Sequence, residues 1–312
     1  MTRKIQQTFL LTLAAVLALG TASFAAQQSS GAQQPAPSLK GGNSGQAQGQ
    51  SNGQAQQNGQ AAQPATPQPT PEEASAYTAI QNELDPDRQI QLVEDFAKKY
   101  PNSILLSDAY FFGASAMQQK NQITKAVEYG EKSLKLRPDN LRSLILLTGL
   151  LPQPADLLGS DAEKDAKLKE TETDAATAQA LLAKLPKPAS QTDDQFQKLK
   201  TNIISQIHSS LGMVHLQRAM EGLTGVDAGE LAKAEAEYKM AVSMGDPRPE
   251  DYFRLGEVYK QENKIDDSID AFSKAAQYGQ GTVIPQLAQK NIDALKAVKA
   301  KQAAAPPPPP KQ

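Results

Sequence analysis

His208 and His215 are the only histidines of the 312-residue chain. They lie seven residues apart in one helix-forming stretch, so both fall on the same helix face. Two imidazoles so placed could begin a metal site. Such a site needs further ligands at a recognisable spacing. The chain has no cysteine, and no third ligand stands at such a spacing. The carboxylate pairs Glu72-Glu73 and Asp266-Asp267 each begin a helix, where they favour the positive end of its dipole. The run Lys164 to Glu172 mixes signs at helical spacing and reads as a solvated face. Gly-x-Ser-x-Gly, His-Glu-x-x-His, a phosphate-binding glycine loop and Cys-x-x-Cys are all absent. We therefore expect no catalytic residue, no cofactor and no metal, and read both histidines as flat rings packed between helices. A His-dependent metal or enzymatic role is the outlying alternative. Formal net charge is −2, and removing Arg3 and Lys4 would make it about −4, which offers no footprint for nucleic acid.

The elements that position these residues show most clearly at Pro249 to Thr282. Tyr252, Leu255, Gly256 and Tyr259 mark one amphipathic helix, and Ser268, Phe272 and Ala275 a second. Tyr110, Gly113, Ala114 and Met117 stand at first-helix positions of another unit, followed by Ala126. Tyr110 to Ala126 and Tyr252 to Ser268 are both sixteen residues, and Asn121 and Asn263 both fall at the turn. Gly130 stands where the second helix would carry an aromatic. His208, Leu211, Gly212 and His215 repeat the first-helix marks. Their second helix, with Ala234, Tyr238 and Ala241, arrives about ten residues late, after an insertion at Gly222 to Gly229.

Taken in order, Met1 to Ala25 reads as a secretory signal peptide. It has a basic start, an apolar run of about eleven residues at Phe9 to Leu19, and Ser23-Phe24-Ala25 before the cut. An uncleaved anchor is the competing reading, but so short a run cannot span about 30 Å of hydrocarbon. Residues 26–70 are Gln-, Gly- and Pro-rich with Lys40 the only charge, and read as a disordered tether. Order begins at a capping box, Thr70 with Glu73, and Pro71. Approximate hairpin units follow at 71–102, 103–140, 141–186, 193–246 and 249–282. Leu141 to Leu151 is apolar nearly all round, so it is sandwiched between neighbours. A terminal helix at 284–300 covers the last apolar edge. Residues 302–312 form a proline-rich tail that could dock in an aromatic groove as a polyproline helix.

The pattern aromatic-x-x-Leu-Gly-x-x-Tyr then small-x-x-x-Phe resembles the tetratricopeptide repeat family, over residues 70–300. The resemblance implies an all-α, right-handed α-solenoid of about five helix-turn-helix hairpins plus a capping helix. It also implies a concave groove that binds a peptide or helix of a partner protein, usually without catalysis. Carried onto the two best repeats, the groove residues would be Asp108, Phe111, Ser115 and Gln118, then Glu250, Phe253, Glu257 and Lys260. These differ from the Lys/Asn-rich carboxylate clamp of the family's co-chaperones and suit a basic or apolar segment. Tyr100-Pro101-Asn102-Ser103 is similar to the repeat junction of exported envelope-assembly proteins. With the leader, it implies an exported scaffold with envelope partners and no transmembrane span after cleavage. A structural spacer held by the tether is the alternative.

Overall fold

The computed structural model describes residues 68–153, 160–220, 225–246 and 248–304. The expected leader, most of the expected tether, the proline run and the first part of the Gly222 to Gly229 insertion lie outside them. Among the described residues there are eleven α-helices and no strand: α1 Pro71–Asn82, α2 Pro86–Lys99, α3 Leu106–Gln119, α4 Ile123–Leu136, α5 Leu141–Leu150, α6 Asp161–Lys184, α7 Asp193–Met220, α8 Ala228–Ser243, α9 Pro249–Gln261, α10 Ile265–Tyr278 and α11 Ile284–Ala304.

Helix starts follow local chemistry. Thr70 and Glu73 form a reciprocal capping box at α1, with Pro71 in the first turn. Ser160 and Glu163 do the same at α6. Asp85 accepts from the Arg88 amide at the start of α2. Thr192 and Gln195 exchange bonds before α7. Asp227 accepts from the Gly229 and Glu230 amides, so the late second helix of the fourth hairpin begins on a side-chain cap. Asn121 and Asn263 turn the second and fifth hairpins at φ of 57° and 59°, a left-handed conformation that asparagine tolerates better than most residues.

Each helix packs on its sequence neighbours, and first helices also meet in the series α1, α3, α5, α7. This successive pairing is an α-solenoid. The second and fifth hairpins share one frame: α4 and α10 start and stop with the same offset, Ile123 matching Ile265 and Leu136 matching Tyr278. The hairpins are locked by one recurring contact. A β-carbon at Gly256 would lie 2.9 Å from the Phe272 ring, and one at Gly212 2.9 Å from Tyr238. In the second hairpin the ring comes from Tyr129, and a β-carbon at Gly113 would lie 2.7 Å from it. Gly130 thus has no ring because Tyr129, one residue earlier, supplies it against a glycine one residue earlier. Gly130 receives Leu147 of α5 instead, 2.8 Å from where its β-carbon would be. Glycine is favoured where a ring of the opposite helix lies this close against the helix backbone.

Leu144, Leu147, Leu150 and Leu151 are buried in the largest core, with side chains from α1 to α4 and from α6 and α7. That explains the all-round apolar character of α5. At the far end, Ala288, Ile292 and Leu295 of α11 cover Phe272 and Ala275. No described helix is long and apolar enough to cross a membrane.

Candidate functional site

The two histidines face carboxylates of the partner helix. His208 Nδ1 lies 2.7 Å from Glu237 Oε2, and His215 Nδ1 lies 2.8 Å from Glu230 Oε2. A carboxylate only accepts, so each Nδ1 carries the proton. They are ring substitutes in the α7–α8 contact, but polar ones, each adding a hydrogen bond across it. Among the described residues no group of three or more His, Cys, Asp or Glu is gathered to hold a metal. The run Lys164 to Glu172 is only partly a solvated face. Arg218 of α7 forks onto Glu172 at 2.6 and 2.9 Å, tying α6 to α7.

The stripe expected to line the groove divides into two. In the second hairpin Asp108, Phe111 and Ser115 are buried, Phe111 completely, and only Gln118 keeps partial exposure. They are occupied from within. Arg142, at the start of α5, pairs with Asp108 and lies 4.9 Å from the Phe111 ring centre and 5.3 Å from that of Phe112. Arg137 joins Asp108 at 2.7 Å, and Asn140 donates to Asp108 at 3.2 Å and to Ser107 at 2.9 Å. Burial works against the Asp108 charge, but Arg142 and Arg137 overcome it and hold the carboxyl below the usual range. The position that faces a ligand in the resemblance here faces the next hairpin. A lone arginine inside the apolar run LRSLILLTGLL was the available signal, since such a charge must be paired.

In the fifth hairpin one residue of the stripe, Glu250, faces open space. Side chains of α5, α7 and α9 surround a cleft of about 100 Å³. Ile145, Ile207 and Met213 give it apolar wall, and Arg248, Glu250, Asp251 and Arg254 give it charge. Asp251 is 1% exposed and fully used: Arg248 Nε and Nη2 donate to it at 2.8 Å each, and Ser209 donates from α7. Glu250 is not. Its Oε2 is buried without a hydrogen-bond partner, and burial pushes its carboxyl upward. Among the described residues no carboxylate lies within ion-pair distance of Arg254, whose Nη1 instead meets the Met213 sulfur at 2.9 Å. Phe253, by contrast, is half-buried edge-on against Phe272, 5.1 Å between ring centres, and belongs to the last core. Glu257 is half-buried with its carboxyl raised by burial, and Lys260 is exposed and donates to Asn291 of α11. Of the eight residues, then, Glu250 lines the cleft. Arg254, its neighbour one helical turn on, and the α7 residues Gln206, Ser209 and Met213 were not foreseen. The spacing Glu250 to Arg254 was legible, but which first helices would enclose it was not.

No protein-family model matches the chain, and no curated protein matches it. Among solved structures it is similar to a thermophilic TPR protein from Thermus thermophilus, at 16% identity and TM-score 0.45 over 71% of this chain and 95% of that one. It is also similar to the MamA RS-1 ArsTM double mutant, at 14% identity and TM-score 0.43 over 66% and 92%. A tetratricopeptide repeat protein from Parabacteroides merdae aligns at 13% identity and TM-score 0.27 over 72% and 98%. The repetition of hairpins is read from this chain's own glycine-on-ring packing and asparagine turns.

Proposed function

We propose that this solenoid of tetratricopeptide-type hairpins is an exported, non-enzymatic scaffold that holds a segment of a partner protein against its first helices. The observation that carries the reading is the cleft between α5, α7 and α9, where Glu250 keeps a buried oxygen without a partner. A buried polar atom left unpaired costs free energy that an incoming donor recovers. Export and an envelope partner are supported by the signal-peptide pattern of residues 1–25. Absence of catalysis is supported by the lack of any nucleophile constellation in the sequence.

The test is site-specific photo-cross-linking in the cell. A probe at Gln206, beside the cleft, is expected to capture a defined envelope protein. A probe at the exposed Lys239 of α8 is expected not to. Arg254→Glu should lower capture from Gln206 at least about fivefold, because it reverses charge in the cleft. Equal capture from both positions, or capture indifferent to Arg254→Glu, would remove the groove from the function.

A further inference from the structure

The unmet groups of the cleft define what would fill it. Glu250 Oε2 needs a donor. The Arg254 guanidinium, with only a thioether contact from Nη1, offers donors without a carboxylate to take them. Asp251 and Arg248 satisfy one another and need nothing. A cation drawn to Glu250 would meet Arg254, and an anion drawn to Arg254 would meet Glu250. A neutral group carrying both a donor and an acceptor avoids both conflicts. The carboxamide of glutamine or asparagine is such a group, with N–H for Glu250 and C=O for Arg254. It also fits a space of about 100 Å³.

The chain carries that group in quantity. Of the twenty residues 41–60, ten are glutamine or asparagine, and the rest are glycine, alanine and serine. None is charged and none is a large apolar residue that would seek the core instead. The described structure begins at Gln68, before α1. From α1 to α7 is three first-helix steps, about 30 Å at 8–10 Å each. Eight residues extend to about 28 Å and 27 residues to about 90 Å, so all but the last residues of 41–60 lie within reach of the cleft in the same molecule.

We infer that residues 41–60 place a Gln or Asn carboxamide between Glu250 and Arg254 of their own chain, and so compete with the partner for the cleft. This rests on the partner-groove reading above and adds a regulator to it.

Met213 reports on the site, because its sulfur touches Arg254. The protein from residue 26 is labelled with 13C-methyl methionine, and the Met213 signal is assigned by its loss in Met213→Leu. It is compared with a variant in which all ten carboxamide residues of 41–60 are serine. The Met213 signal is expected to differ between the two, at a position independent of protein concentration. A synthetic peptide of residues 41–60 added to the serine variant should return it toward the native position. Arg254→Met should weaken that peptide at least about tenfold, with the Met117 and Met240 signals unchanged to show that the fold is intact. An identical Met213 signal in both proteins would overturn the inference. A shift that grows with protein concentration would overturn it too, by placing the segment in a second copy. Tighter binding by a peptide with lysine or glutamate at those positions would make the cleft an ion site and remove the carboxamide. If Met213 is indifferent while Gln206 still captures a partner, this inference falls and the scaffold stands. If the serine variant does not capture more partner than the native chain, competition falls even where the segment binds.

Discussion

Single residues carry much of this molecule's specificity, and the glycines show it most directly. At Gly212 and Gly256 a methyl group would press on a buried ring of the opposite helix. Gly256→Ala is expected to cost about 1–3 kcal/mol, read as a lower denaturant midpoint. Gly149 has nothing within 4 Å of its β-carbon position. Gly149→Ala should therefore stabilise by about 0.4–1 kcal/mol, through the unfolded chain. The same substitution thus has opposite signs, decided by what lies across the helix. Asp174 of α6 is a second case. It is 8% exposed, its Oδ2 has no partner, and burial together with Glu170 pushes its carboxyl up to about 7. With a folded value above the unfolded one, the folded state holds more protons across that interval. Stability from this group is present at low pH and lost as pH rises from about 4 to 7. Asp174→Asn should remove that loss, gaining roughly 1–2 kcal/mol at pH 8 after solvent screening and less at pH 4. A native-minus-variant difference that is flat with pH would refute it.

At the scale of elements, Arg142 joins three first helices. It pairs with Asp108 of α3, lies over the Phe111 and Phe112 rings, and reaches Tyr77 of α1. Arg142→Met leaves the buried Asp108 carboxylate with Arg137 as its one cationic partner beside the Asn140 amide. We expect a loss of about 2–4 kcal/mol by urea unfolding, most of it recovered in Asp108→Leu/Arg142→Met. No recovery would mean that Arg142 acts through packing and not through charge. Here the sequence was partly legible. The periodicity located every described helix, and the caps at Thr70, Ser160 and Thr192 form as expected. It read Asp108, Phe111 and Ser115 as groove residues because the stripe is the same as in the fifth hairpin. Only the arrival of Arg142 from the next hairpin shows that they are already covered. At the end of the chain α11 runs on to Ala304, four residues past the expected stop at 300, because nothing before the prolines breaks it.

Over the whole molecule, stability is handed from hairpin to hairpin, since each helix mainly touches its neighbours. Removing α11 by ending the chain at residue 283 uncovers Phe272 and Ala275. The truncated chain should lose stability and self-associate above micromolar concentration, seen as a rising sedimentation coefficient. The sequence alone determined that the described part of the chain is all-α and where its helices fall. Those are properties of local period and residue type, which a chain carries wherever it folds. Tertiary structure alone decided that the N-terminal stretch of the first-helix face is filled by Arg142 while the C-terminal stretch keeps a cleft with an unpaired carboxylate oxygen. Both stretches have the same helical period. They differ in what a helix distant in sequence brings against them, and that contact exists only once the hairpins stack.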